Sequence, residues 1–289
     1  MTDRPTLDPL KATILASFPE LAAARFTLAD QGWDCAAVDV DGAWIFKFPR
    51  DPEDAGALAV EARVLDIVRP RVAVAVPEMT FHPGPPPFSR HAKLIGEHLV
   101  AADYDRLDPA QRDALAATLA SFLAALHELE RAPLAAAGAV AIDPPPAVDA
   151  IAAGAIPRLP PALRGRAERI LADYAALAPD PHGTVFGFFD AHGWNMAFDH
   201  AAGRLNGIYD FGDAGFGPLH EEFVETSFIA RDLTRRTIAA YERVSGRSID
   251  RTRVATLTGA FRLHALAEDA DHPVHGATVV RHAIDWLSD

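Results

Sequence analysis

The sequence predicts an α+β protein with two lobes, a small β-rich N-terminal lobe and a large, mostly helical C-terminal lobe. Residues 1–95 contain several strand-like segments and one helical segment, whereas most of the chain beyond residue 108 has helical periodicity. A chain of 289 residues with 49% apolar content is long enough for one large or two modest domains. We therefore assign 1–95 to the N-terminal lobe and 96–289 to the helical lobe.

A hairpin is predicted in the N-terminal lobe. Residues 35–40 and 43–48 are rich in β-branched and aromatic side chains, and the Asp41-Gly42 pair between them favours a two-residue turn. The other elements predicted here are a helix at 52–68, with Pro52 in its first turn, and strands at 72–81 and 88–95, separated by a proline-rich turn at 82–87.

Helices dominate the second lobe. Asp108-Pro109 has the pattern of a helix N-cap followed by proline at the first helical position. Apolar residues follow at spacings of three and four, as one face of a helix requires: Leu115, Leu119, Phe122, Leu126 and Leu129. Further helices are predicted at 160–177 and over most of 219–288, with a strand-like segment at 184–211 between them.

The amino-acid composition and net charge exclude several classes of function for this protein. The net charge is −13, which disfavours a nucleic-acid partner, although the commoner role of such a charge is solubility. Cys35 is the single cysteine, so the chain has neither an intramolecular disulfide nor a cysteine metal cluster. No apolar run approaches the ~20 residues that cross a bilayer. We expect a soluble cytoplasmic protein with no membrane partner.

Segment 184–211 carries the predicted chemistry, because its polar residues lie among bulky apolar ones. Asp190 and Asn195 form an Asp-x4-Asn pattern, and Asp210 begins Asp-Phe-Gly after a predicted strand. Phosphoryl transfer needs a carboxylate to orient the attacking hydroxyl and hard oxygen ligands for Mg²⁺. The order and spacing fit a kinase with Asp190 as catalytic base and with Asn195 and Asp210 as metal ligands.

These motifs resemble the aminoglycoside phosphotransferase and choline-kinase-like superfamily, which has a protein-kinase-like fold. The resemblance covers ~220 residues in the order that a kinase signature set requires. The segments that carry it, besides 190–213, are Gly32-Trp33-Asp34, Trp44–Arg50, Leu94–Glu97 and Phe122–His127. It implies ATP or GTP as co-substrate, Leu94 and Ile95 at the nucleotide-binding hinge, and an acceptor pocket in the helical lobe.

Lys47 and Glu61 are the predicted phosphate-binding pair. Lys47 interrupts an apolar strand, and Glu61 falls on the apolar stripe of the predicted helix. Burying either charge is costly unless it is paired, so each residue explains the other if they form the Lys–Glu ion pair of kinases. The alternative is that Glu61 lies in solvent at the margin of the stripe.

The chain departs from the family pattern at three places. Phe188-Phe189 replaces the His-Gly that usually precedes the catalytic aspartate, and Gly193-Trp194 replaces the usual Pro-Gly. Gly32 alone represents the glycine-rich loop, so phosphate contacts are expected mainly from Lys47 and the metal.

Two functions follow from this pattern. The first is transfer of the γ-phosphate of ATP or GTP to a hydroxyl of a small molecule, with an aminoglycoside-like amino-sugar as one candidate. The second is a catalytically weak nucleotide-binding pseudokinase. Acidic residues in the C-terminal helices favour a cationic acceptor if they face the cleft, or are an ordinary solvated surface: Glu221, Glu222, Glu225, Glu268, Asp269 and Asp271.

Overall fold

The computed structural model describes residues 6–29, 35–51, 55–144 and 146–288. The fold is α+β, as predicted, and the chain divides into two compact units. The sheet unit comprises Met1–Glu97, Leu129–Val140 and Met196–Gly212, and the helical unit comprises His98–Glu128, Ala141–Asn195 and Asp213–Asp289. Each unit contains segments that are separated in the sequence. The lobe boundary after residue 95 stays a prediction.

The strands of the sheet unit are β1 (Phe26–Ala29), β2 (Cys35–Val40), β3 (Trp44–Pro49), β4 (Thr80–His82), β5 (Phe88–Ala92), β7 (Met196–Asp199) and β8 (Arg204–Ile208). The first five form an antiparallel sheet in the order β1-β2-β3-β5-β4, and β7 and β8 form a two-stranded ladder. The helices of the sheet unit are α1 (Leu7–Ser17), α2 (Ala55–Val68) and α5 (Arg131–Ala137).

The predicted hairpin is confirmed. Asp41 and Gly42 have φ values of 57° and 68°, and the N–H of Ala43 donates to the carbonyl of Val40 at 3.0 Å. Two left-handed residues in succession define the type I′ geometry that Asp-Gly favours. The strands pair with Val40 opposite Trp44, so three residues, Asp41 to Ala43, connect them, and Ala37 lies opposite Lys47.

The predicted strand at 72–81 is wrong except at its end, where β4 begins at Thr80. Val74, Val76 and Met79 are buried, but Ala75 makes only an isolated bridge to Gly207. The apolar residues therefore reflect burial of an irregular segment, which a run of β-branched residues does not distinguish from a strand. The following strand, β5, is also shorter than its predicted range of 88–95.

One face of the sheet forms an apolar core, which α1 covers. Phe46 and Phe48 of β3 pack in this core with Leu10 and Ile14 of α1. The sequence patterns predicted neither α1 nor β1. Pro52 and the Gly32-Trp33-Asp34 segment lie outside the described residues.

The helical unit contains α3 (Ala101–Tyr104), α4 (Pro109–His127), α6 (Val148–Ala155), α7 (Pro161–Ala175), α8 (Arg231–Ser245), α9 (Arg251–Asp269), α10 (Gly276–Ser288) and the ladder of β6 (Thr184–Gly187) with β9 (Gly215–Pro218). Ile151, Leu171, Leu263 and Leu287 belong to a core built by α6, α7, α9 and α10. Among the described helices, none combines the length and apolarity needed to cross a membrane.

The start of α4 is fixed by a capping box. Asp108 Oδ1 accepts from the N–H of Gln111 at 2.9 Å, and Gln111 Oε1 accepts from the N–H of Asp108 at 3.0 Å. Asp108→Ala should lower the free energy of unfolding by ~1 kcal/mol, because helical N–H groups lose their acceptor. Urea denaturation measures this change. Glu130→Ala is the matched control, since Glu130 is the N-cap of α5 and makes no side-chain capping bond. Equal losses in both variants would contradict the assignment.

Candidate active site

The predicted Lys47–Glu61 ion pair is present in the sheet unit. Lys47 Nζ lies 3.0 Å from Glu61 Oε2 and 2.7 Å from Asp210 Oδ1. Glu61 is 4% exposed, which rules out the alternative that it lies in solvent. Burial alone would lower the pKa of Lys47, but the charges of Glu61 and Asp210 outweigh it and raise that pKa. The lysine is therefore held as an ammonium group.

Glu61 also holds the backbone of the Asp-Phe-Gly segment. Its Oε1 accepts from the N–H of Phe211 at 3.0 Å, one residue after Asp210. Asp210 has a φ of 68°, a left-handed conformation that costs a non-glycine residue about 1–3 kcal/mol. The bonds to Phe211 and Lys47 help to stabilise this conformation, and the Asp210 side chain remains 49% exposed.

The predicted hinge residues lie beside β7 and β8. Glu97 and Phe198 exchange backbone hydrogen bonds of 2.9 and 2.8 Å, and the carbonyl of Ile95 accepts from Asn206 Nδ2 at 3.0 Å. Leu94 packs on Gly207, where an added Cβ would come within 2.7 Å of Leu94 Cδ1. The Ile95 side chain is 84% exposed. Contact of Leu94 and Ile95 with a nucleotide base stays a prediction.

Asp190 and Asn195 are joined in the helical unit. Asn195 Nδ2 donates to Asp190 Oδ2 at 2.5 Å and to the Asp190 carbonyl at 3.1 Å. His192 Nε2 lies 3.1 Å from Asp190 Oδ1. Both carboxylate oxygens are thus oriented by neighbours on the same loop, while the Asp190 side chain stays 20% exposed.

His192 acts as a hydrogen-bonding link within this loop. Its Nδ1 accepts from the N–H of Trp194 at 3.2 Å. Burial alone would lower the pKa of His192. Its hydrogen bond to Asp190 and the charge of Asp190 outweigh that effect and raise the pKa to about 9. At pH 7 that pKa favours the imidazolium, whereas the contact with the N–H of Trp194 fits only a ring whose Nδ1 carries no proton.

Glu222 anchors the segment that precedes Asp190. Its carboxylate accepts from the N–H of Phe188 at 3.0 Å and of Phe189 at 2.9 Å, and lies 3.2 Å from His127 Nε2. Phe189 has a φ of 57°, so the anchor holds a strained non-glycine residue directly before the predicted base. An added Cβ at Gly187 would lie 1.9 Å from Glu222 Oε2, which restricts that position to glycine.

The sequence pattern did not predict this role, because the acidic run that contains Glu222 was expected to face either the cleft or the solvent. The residue is fully buried, and its neighbours Leu219, Phe223 and Val224 are buried as well. An acidic residue within such an apolar stretch was the available signal that it needs internal partners. The anchor also supplies support for the loop where Phe188-Phe189 replaces the usual His-Gly.

The predicted magnesium ligands fit the ion in donor type. The Asn195 amide nitrogen is directed at Asp190, so the oxygen is the atom of that amide available to a cation. Asp210 already contacts a cationic group, the Lys47 ammonium. Carboxylate and amide oxygens are the hard ligands that Mg²⁺ prefers. Among the described residues, no cluster of three or more His, Cys, Asp or Glu side chains could hold a metal ion.

A five-stranded sheet with a Lys–Glu pair, followed along the chain by a helical part with an Asp-x4-Asn loop, defines a protein-kinase-like fold. The sequence model of APH, the phosphotransferase enzyme family, matches residues 26–257. The chain therefore belongs to the phosphotransferase enzyme family.

Solved structures with the same fold share little sequence with the chain. The GDP and kanamycin complex of APH(2")-IIia has 20% identity and a TM-score of 0.77, with 97% of each chain covered. The GDP complex of wild-type aminoglycoside 2'-phosphotransferase-IIIa has 19% identity and a TM-score of 0.79, with 98% of each chain covered. Macrolide 2'-phosphotransferase MphH from Brachybacterium faecium has 21% identity and a TM-score of 0.63, covering 95% of this chain and 98% of that one. No curated protein matches the sequence.

Removing the Glu222 anchor should destabilise the helical unit. Glu222→Ala leaves the N–H groups of Phe188 and Phe189 and the ring of His127 without this acceptor. We expect the free energy of unfolding to fall by ~3 kcal/mol, the scale for breaking a buried charged network. Chemical denaturation measures the loss. Glu221→Ala is the control, because Glu221 is only partly buried and no side-chain hydrogen bond links it to the loop. A loss no larger than in the control would contradict the anchoring role.

Proposed function

We propose that the protein transfers the γ-phosphate of ATP or GTP to a hydroxyl group of a small molecule. The observation that carries this proposal is the geometry of Asp190, whose two carboxylate oxygens are oriented by His192 and Asn195 on a loop anchored by Glu222. Membership of the phosphotransferase enzyme family supports it.

Asp190 is the proposed catalytic base. Its partly exposed carboxylate accepts the hydrogen bond of the acceptor hydroxyl, orients the oxygen towards the γ-phosphate and takes the proton as transfer proceeds. His192 and Asn195 position the carboxylate and do not themselves need to contact the reacting atoms. In phosphoryl transfer this positioning contributes much of the catalysis, since little covalent chemistry is left to the protein.

Lys47 is the proposed ligand of the α- and β-phosphates. Glu61 holds its ammonium at 3.0 Å and thereby fixes the direction in which the side chain leaves β3. Leu94 and Ile95 are proposed to flank the nucleotide base. The choice between ATP and GTP depends on that contact.

Asn195 and Asp210 are the proposed ligands of Mg²⁺, through the side-chain oxygen of each. Such an ion would neutralise charge on the nucleotide phosphates when bound. Asp210 would then exchange part of its contact with Lys47 for the metal, while Glu61 keeps the lysine in place.

The named ligands of related structures agree with a nucleotide and a hydroxylated acceptor. APH(2")-IIia binds GDP and kanamycin, and APH(2")-IIa binds streptomycin and ATP. An amino-sugar acceptor and a cytoplasmic location remain predictions for this chain. The acidic surface that favoured a cationic acceptor is smaller than expected, because the Glu222 carboxylate is buried and contacts Phe188 and His127.

The base is tested with Asp190→Asn, which keeps the shape of the side chain and removes its negative charge. Phosphate transfer should fall by at least ~10²-fold, the scale of general-base catalysis, with little change in nucleotide affinity. Steady-state kinetics and calorimetric nucleotide titration measure the two quantities. Asp173→Asn, at an exposed position on α7, is the control. Unchanged transfer would remove Asp190 from the mechanism and favour the nucleotide-binding pseudokinase.

The phosphate ligand is tested with Lys47→Ala. The nucleotide KM should rise by about tenfold or more, the scale of a hydrogen bond to a charged group. Lys93→Ala is the matched control, since Lys93 is also in an ion pair of the sheet unit, with Asp39 at 2.6 Å. If both variants keep the wild-type nucleotide KM, Lys47 does not bind the phosphates.

A further inference from the structure

Tyr241 and His127 form a buried hydrogen-bonded pair that the proposed mechanism does not use. Tyr241 belongs to α8, and His127 is the last residue of α4. The Tyr241 hydroxyl lies 2.7 Å from His127 Nδ1, and the two rings meet edge to face with their centres 5.4 Å apart. Both side chains are fully buried. Buried polar groups are costly to the folded state unless their hydrogen bonds are satisfied, so the arrangement of this pair is closely constrained.

The pair is connected to the anchor of the proposed catalytic loop. His127 Nε2 lies 3.2 Å from Glu222 Oε2, and the Glu222 carboxylate accepts from the N–H of Phe189 at 2.9 Å. A continuous series of hydrogen bonds therefore runs from the Tyr241 hydroxyl to the residue directly before Asp190. All of its members belong to the helical unit.

The positions of the protons in this series follow from its two ends. Both oxygens of Glu222 accept from backbone N–H groups, so His127 Nε2 is the donor in its contact with the carboxylate. Burial raises the pKa of Tyr241 and outweighs the opposing effects of Arg247 and Ser245, so the hydroxyl keeps its proton near neutral pH. The hydroxyl donates to Nδ1, and these two contacts together fix the tautomer and the orientation of the ring.

The Glu222 carboxylate is closely surrounded, so its position depends on the His127 ring. An added Cβ at Gly187 would lie 1.9 Å from Glu222 Oε2, the same oxygen that His127 Nε2 contacts. Phe189 has a φ of 57°, a conformation that persists only with support from its surroundings. A misplacement of about 1 Å in the reacting groups can lower a rate by about 10²-fold. A small shift of the anchor would therefore be felt at Asp190.

We propose that Tyr241 is a positioning residue for phosphate transfer. Its hydroxyl orients the His127 ring, and the ring in turn holds Glu222 against the backbone that precedes Asp190. The inference rests on the proposed function and gives Tyr241 no contact with the nucleotide or the acceptor. Turnover should therefore depend on the hydroxyl, whereas nucleotide affinity should not.

Tyr241→Phe tests this role, because it removes only the hydroxyl. Turnover is followed as Asp190-dependent release of nucleoside diphosphate from Mg-ATP and Mg-GTP, with water as the acceptor. We expect kcat to fall by about tenfold, within the range that small displacements of reacting groups produce. The nucleotide KM should stay within about twofold of wild type.

Tyr104→Phe is the matched control. Tyr104 is also buried in the helical unit, and its hydroxyl donates to Asp232 at 2.8 Å instead of to the series that reaches Glu222. Urea denaturation establishes that both variants are folded and should show a loss of stability in each. Only Tyr241→Phe should lose turnover.

A second substitution separates positioning from packing. In His127→Gln, the amide nitrogen of the new side chain takes the place of Nε2 and donates to Glu222 without the help of Tyr241. Adding Tyr241→Phe to this variant should change kcat by less than about twofold, because the hydroxyl no longer acts through the ring. A hydroxyl that acted only through packing or stability would lower kcat by the same factor in both backgrounds.

NMR of the histidine ring nitrogens examines the His127 ring without turnover. Its resonances are identified by their loss in His127→Gln. We expect the wild-type ring to carry a proton on Nε2 and none on Nδ1, and the Nδ1 resonance to shift in Tyr241→Phe but not in Tyr104→Phe.

Several results would overturn the positioning role. These are a wild-type kcat in Tyr241→Phe, an equal loss of kcat in Tyr104→Phe, equal losses in the two His127 backgrounds, or a proton on Nδ1 of the wild-type ring. Absence of any Asp190-dependent transfer, to water or to a hydroxylated acceptor, would reject the proposed function and the positioning role with it. The NMR spectra would still decide whether Tyr241 orients the ring, so the two failures are distinguishable.

Discussion

A buried carboxylate is stable only when charged or N–H groups surround it, and each unit of this protein depends on one such residue. In the sheet unit, Glu61 accepts from Lys47 and from the backbone of Phe211. In the helical unit, Glu222 accepts from two backbone N–H groups and contacts His127. Both carboxylates offset their own desolvation by organising a loop that carries a candidate functional aspartate.

The anchored loops are also the strained ones. Phe189 and Asp210 both adopt the left-handed conformation that non-glycine residues usually avoid. The backbone N–H of Phe189 donates to Glu222. The N–H of Phe211, the residue after Asp210, donates to Glu61. Strained backbone conformations of this kind persist where several surrounding contacts hold the backbone in place, and they are concentrated at functional sites. The replacement of His-Gly by two phenylalanines is thus compatible with a firmly held loop.

Buried charged side chains with and without hydrogen-bond partners have different roles in this fold. Glu61 and Glu222 each contact more than one hydrogen-bonding group inside the protein, so they are structural supports of the site. Glu225 and Arg262 are equally buried, but the buried Nε of Arg262 has no hydrogen-bond partner among the described residues. Because an acidic sequence run does not reveal which of its members have partners, the run from Glu221 to Glu225 gave one undifferentiated expectation of a negative surface.

The sequence by itself determined the features that depend on local spacing. The Asp-Gly turn and the capped start of α4 follow from turn chemistry and helix capping. The pairing of Lys47 with Glu61 was predicted from the cost of an unpaired buried charge together with the kinase-like motifs, and the burial of Glu61 decided against the alternative. Only the tertiary structure decided which buried carboxylate anchors which loop, that residues 72–79 form no regular strand, and that α1 covers the sheet. These features depend on contacts between residues far apart in the chain, such as Glu222 with Phe188, and local periodicity contains no information about such contacts.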